Sequence, residues 1–64
     1  MQVGDRIRDI EDGDCYFEGV ITEIINKTIK YKVDTVIWNG ENYLDDKYIG
    51  KEIEPIWWYV KKII

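Results

Sequence analysis

The stretch Ile29-Lys30-Tyr31-Lys32-Val33-Asp34-Thr35-Val36-Ile37-Trp38 is followed directly by Asn39-Gly40. Ile29, Tyr31, Val33, Thr35 and Ile37 recur at every second position with Lys30, Lys32 and Asp34 between them, and a period of two is the signature of a strand. Asn-Gly is the pair that a two-residue type I′ hairpin demands, because both central residues there take positive φ. The turn sets the register: Trp38 faces Glu41, Val36 faces Tyr43, and the return strand covers residues 41–44. In this reading Ile37 points into the core, while Val36, Trp38 and Tyr43 share the outer face.

A second hairpin precedes it. Residues 16–25 form a long apolar run ending at Asn26-Lys27, and a two-residue turn there places Glu23 opposite Lys30 and Ile24 opposite Ile29. Both pairs are chemically matched. The run carries a conflict of phase, however. Phe17, Gly19 and Ile21 share one face, whereas the hairpin turns Ile24 inward, so a bulge or bend near Thr22 is expected. Gly19, lacking a side chain, would let the chain pass close to its neighbour at that bend.

The remaining signals complete an all-β pattern. Val3-Gly4-Asp5 leads into a short strand at residues 6–10, residues 11–14 read as an acidic turn, residues 45–50 as a loop or one short 3₁₀ turn, and residues 53–60 as the last strand. Pro55 has no ladder donor and belongs at the start of that strand or on an edge. Composition agrees, since Ile, Val, Tyr and Trp dominate the apolar set, Ala and Ser are absent, and only Leu44 and Met1 represent the straight or γ-branched apolar helix formers. Five strands in 64 residues predict one domain, residues 1–64, a closed or nearly closed five-stranded barrel that leaves few reactive edges.

Several kinds of chemistry lack their residues. Cys15 is the single cysteine and there is no histidine, so neither an internal disulfide nor a zinc site is expected, and no general base accompanies Cys15. Asp12/Asp14 and Asp45/Asp46 lie in turns without the spacing of a calcium loop and read as solvated residues. We expect no catalytic residues, no metal and no cofactor. The opening residues lack a signal-peptide pattern and no apolar run approaches membrane-spanning length, so a cytoplasmic protein is expected, without a membrane partner. The net charge of −4 disfavours general duplex binding, although Lys27, Lys30 and Lys32 make a local basic strip.

Asp12-Gly13 followed by Tyr16-Phe17-Glu18-Gly19-Val20-Ile21-Thr22-Glu23-Ile24 resembles the opening of a Tudor-type domain. Val3-Gly4-Asp5-Arg6-Ile7 is similar to the start of KOW and other SH3-like barrels. The resemblance covers about the first third of the chain and implies a five-stranded SH3-like, Tudor-like barrel. It also implies an aromatic cage for a methylated Lys or Arg, with Tyr16 as one wall and Phe17 buried. The Tudor segment F-x-D-Y-G on the third strand is replaced here by Tyr31-Lys32-Val33-Asp34. A KOW likeness would imply nucleic-acid or ribosome contact.

The expected function is a small non-enzymatic module that binds a protein or peptide partner through Tyr16, Trp38 and Tyr43. The alternatives are a nucleic-acid binder using Lys27, Lys30 and Lys32, or a structural subunit of a larger assembly. Trp57-Trp58-Tyr59 either folds over the Trp38 patch or leaves it open. The apolar C-terminal end allows a monomer or a weak homodimer.

Overall fold

The structure is a computed structural model that describes residues 1–55 and 60–63. Among the described residues there is no helix. Six strands, β1 (Arg6–Asp12), β2 (Cys15–Ile25), β3 (Thr28–Trp38), β4 (Glu41–Asn42), β5 (Glu52–Ile53) and β6 (Val60–Ile63), form one antiparallel sheet. Its order is β4-β3-β2-β1-β6, with β5 also on β3. β4 pairs with the end of β3 at Ile37 and Trp38, and β5 with its middle at Tyr31 and Lys32. Val33 bridges the gap by bonding Gly50 and Lys51. Among the described residues the sheet is not closed into a ring of hydrogen-bonded strands.

The all-β expectation holds, with six strands in place of five. The return strand stops at Asn42 instead of continuing through residue 44. In place of one strand at 53–60 stand β5 and β6, with Glu54 and a buried Pro55 outside any strand. Proline has no N–H to offer a ladder, which suits it to the break instead of a strand start. The expected placement of Trp57-Trp58-Tyr59 lies outside the described residues. The expected loop at residues 45–50 is made of successive turns, with Ile49 N donating to Asp46 O and Lys51 N to Tyr48 O, each at 3.0 Å.

Both hairpins take the expected register. Asn26 and Lys27 have φ of 48° and 71°, Asn39 and Gly40 have 51° and 79°, and the pairs Glu23–Lys30, Ile24–Ile29 and Trp38–Glu41 follow. The expected bulge is present: Ile21 pairs with Tyr31 and Glu23 with Lys30, leaving Thr22 as the extra residue. A second bulge was not expected. Glu18 pairs with Thr35 and Gly19 with Val33, so Asp34 is extra on β3. Its carboxylate is held outside the sheet by both Arg6 nitrogens, at 2.7 and 2.8 Å.

That second bulge corrects the assignment of the core. Tyr31 and Val33 point inward, but after Asp34 the phase flips, so Val36 is buried and Ile37 is only half-buried. The core is Ile7, Ile21, Tyr31, Val33 and Val36, flanked by Phe17, Ile29, Ile49, Ile53 and Val60. Val36, Trp38 and Tyr43 therefore do not lie on an outer face opposite a buried Ile37. Val36 closes the core, and Trp38 and Tyr43 continue beyond it.

Candidate functional site

Where β3 runs past the core, its inward face opens into a cleft of about 370 Å³ lined by Phe17, Val36, Trp38, Tyr43, Asp46 and Tyr48. Val36 and Phe17 are cross-strand partners, so their side chains leave the same face of β3 and β2 side by side. Tyr48 comes from the turns after β4 and meets Phe17 with ring centroids 5.3 Å apart and planes tilted by 41°. Tilted contacts at this distance suit the quadrupoles of two rings.

The turn segment is tied down by its own polar groups. Tyr43 N donates to Val36 O at 2.9 Å, anchoring the segment to β3, and Tyr48 N donates to Asp46 Oδ1 at 2.9 Å. The Tyr43 hydroxyl donates to Glu41 Oε2 at 3.2 Å, and that bond to a carboxylate raises the phenol's pKa. Lys47 places its ammonium 5.3 Å from the Tyr48 ring centroid. Trp38, Tyr43 and Tyr48 are 48%, 43% and 36% exposed, so three of the four aromatic walls are open to solvent.

Of the residues singled out in the sequence, Trp38 and Tyr43 come together as expected. Tyr16 does not join them. It pairs with Ile10 and Ile37 on the opposite face of the sheet, where the Arg8 guanidinium lies 4.2 Å from its ring centroid. Arg8 is held there by Glu18 at 2.8 Å. Phe17 takes the place in the cleft that the family resemblance implied for Tyr16. The alternation of Phe17, Gly19 and Ile21 carried that signal, because all three share the inward face. Nothing in the sequence marked Tyr48, and Asp46 was read only as a solvated turn residue; both reach the cleft through the path of the turns.

The basic strip is diluted by carboxylates. Lys30 lies 3.8 Å from Glu23, Lys32 pairs across the strands with Glu52, and Lys27 shares a shallow hollow with Glu54 and Pro55. Cys15 is buried, with Sγ 4.0 Å from Asn39 Oδ1. Among the described residues no group of three or more potential ligands could hold a metal ion, and no helix is long and apolar enough to cross a membrane. No family model, curated protein or solved structure matches the chain.

Proposed function

We propose that this chain is a non-enzymatic binding module, an SH3-like barrel of the Tudor kind, that recognises a protein segment by taking one of its side chains into the cleft between Phe17, Trp38, Tyr43 and Tyr48. The observation that carries this reading is the convergence of four aromatic rings from β2, the end of β3 and the 43–48 turns on one open cleft. A 64-residue domain has little apolar surface to spare, and leaving Trp38 and Tyr43 about half in water forgoes burial that its stability could use. Concave aromatic sites with a few placed polar groups are where small proteins take up ligands.

The barrel reading is supported by the path of the strands. β1, β2 and β3 follow one another, β6 returns antiparallel to β1, and the two bulges bend β2 and β3. Such bends are how a short sheet curls toward closure.

The test is a proton–nitrogen NMR titration of the intact chain with an array of short peptides differing in one central side chain. Shifts centred on the Trp38 indole, Tyr43 and Tyr48 are expected, and Trp38→Ala should abolish them while leaving the rest of the spectrum folded. Shifts confined to Lys27, Lys30 and Lys32 on adding single-stranded DNA, with a silent cleft, would overturn the proposal.

A further inference from the structure

We infer that Arg6, on the face of the sheet opposite the cleft, positions Val36 and Trp38 inside the cleft by holding Asp34 as the extra residue of β3. For its bearing on recognition this rests on the reading of the cleft as the binding site. It adds to that site a positioning residue that does not line it.

The first observation is that β3 has two ways to meet β2. Counting on from the pair Gly19–Val33 without a bulge would set Asp34 opposite Glu18, Thr35 opposite Phe17 and Val36 opposite Tyr16. Thr35 and Ile37 would then face inward and Val36 and Trp38 outward, since a slip of one residue exchanges the faces of a strand. With Asp34 left over, the pairs are Glu18–Thr35, Phe17–Val36 and Tyr16–Ile37. Val36 and Ile37 are adjacent and each arrangement turns one of them inward, so burial discriminates weakly between the two.

The second observation is that charge does discriminate. Without the bulge the carboxylates of Asp34 and Glu18 would stand directly opposite on one face, a repulsive cross-strand pair. In the structure Arg6 Nη1 donates to Asp34 Oδ2 at 2.7 Å and Nη2 to Asp34 Oδ1 at 2.8 Å. Nη2 also reaches Glu18 Oε1 and Thr35 Oγ1, each at 3.4 Å, and Thr35 Oγ1 donates to Asp34 Oδ1 at 2.8 Å. One guanidinium thus ties the extra residue and its neighbour on β3 to Glu18 across the strands. Its hydrogen bonds hold the Asp34 carboxyl below the ordinary carboxylate range. An isolated exposed ion pair contributes little, but a two-pronged pair inside a network with Glu18 and Arg8 is the exception. A modest bias is sufficient where the alternatives lie close together.

The β3–β4 turn is seated to match. Gly40 N donates to Asp14 O at 3.2 Å, and a slip of one residue, about 3.3 Å, would carry Gly40 off that carbonyl. Bulges beside functional sites re-aim side chains. Here one bulge aims Val36 and Trp38 together, and its lock lies on the far side of the sheet.

The experiment compares side-chain NOE spectra of the intact chain with those of Arg6→Gln, of the chain lacking Asp34, and of the chain carrying both changes. The unaltered chain should show cross-peaks between the Val36 methyls and the Phe17 ring. Arg6→Gln should lose them and gain cross-peaks between Val36 and Tyr16. Removing Asp34 lets Thr35 follow Val33 directly, so a regular strand keeps the pair Phe17–Val36 with no bulge to hold. The shortened chain should therefore retain the Phe17 cross-peaks, and should retain them with Arg6→Gln as well. That rescue separates positioning from a general contribution to stability, which shortening β3 would not restore.

If Arg6→Gln keeps the Phe17 cross-peaks, or if the doubly altered chain lacks them, the inference is overturned. Should Arg6→Gln fail to fold, the doubly altered chain decides: folded with the Phe17 cross-peaks it supports the inference, and unfolded it overturns it. No ligand enters the measurement. A silent peptide titration would therefore remove the reading of the cleft while leaving the role of Arg6, and an indifferent Arg6→Gln would remove this inference alone.

Discussion

The Tyr31 hydroxyl donates to Asp9 Oδ2 at 2.7 Å, joining the middle of β3 to β1 across the interior of the sheet. Tyr31 is fully buried, and burial together with the carboxylate pushes its phenol well above the ordinary range. Burial also raises the Asp9 carboxyl, while the bond from Tyr31 draws it back down. Tyr31→Phe should therefore cost roughly 1–3 kcal/mol, the penalty for leaving a partly buried carboxylate without its donor.

The pH dependence of that loss follows in sign. A carboxyl raised above its unfolded value favours folding while it is protonated, and this contribution disappears as pH rises through the folded pKa. Removing Tyr31's donor lets Asp9 rise further. The deficit of Tyr31→Phe should be smallest at acid pH, where the raised Asp9 carboxyl is protonated in the folded protein, and should open as pH increases. Urea midpoints of both proteins at pH 3.5 and pH 7 measure it, and an equal deficit at both would mean that Asp9 is not the partner at stake.

At Gly19 the β3 backbone passes directly against β2. A Cβ built there would overlap the Lys32 carbonyl and stand 2.9 Å from Tyr31 Cδ2, and the obstructing atom is backbone that cannot swing aside. Gly19→Ala should cost about 3 kcal/mol, at the upper end of overpacking penalties, enough to unfold much of a small domain at room temperature. A thermal midpoint unchanged within error would show that the two strands can part without cost.

Gly40 presents the opposite case. No atom lies within 4 Å of its would-be Cβ, so the expected cost of Gly40→Ala is conformational, about 1 kcal/mol for a side chain at φ of +79°. Lys27 occupies a comparable position at φ of 71° with a side chain already present. Lys27→Gly should be stabilising or neutral where Gly40→Ala destabilises. Chemical denaturation of the two variants would report this contrast, and changes of the same sign would separate the two turns.

What the sequence revealed follows from how narrowly each feature constrains residue choice. Positive φ at two successive positions admits few residues, so Asn39-Gly40 and Asn26-Lys27 announced their turns and with them the register. The Thr22 bulge was legible because its absence would have turned Glu23 inward. The Asp34 bulge was silent, since Val36 and Ile37 are equally suited to burial and alternation continues past Asp34 on paper. Only Thr35, polar in the inward phase, hinted at the slip. The cleft was therefore half visible: Trp38 and Tyr43 were found on a strand, Tyr16 was taken in place of Phe17, and Tyr48 came into range through turns that no periodicity encodes.

The change of phase at Asp34 makes its own prediction, because it exchanges the roles of adjacent residues at the end of β3. Val36 is 2% exposed and forms the floor of the cleft as well as part of the core. Val36→Ala should cost about 2 kcal/mol through lost burial and the space left behind. Ile37→Ala, on the half-buried outer face beside Tyr16, should cost less than Val36→Ala although it removes the larger side chain. Trp38→Ala removes a ring that stands half in water, so its stability cost should stay below that of Val36→Ala while ligand binding falls by roughly 1–2 kcal/mol, the range of a cation–π contact. Thermal midpoints of the three variants, read beside a peptide titration of Trp38→Ala, separate packing from recognition. If Ile37→Ala proves the most damaging of the three, the strand keeps its phase through Asp34, Val36 and Trp38 face outward, and the cleft described between Phe17 and Trp38 does not form.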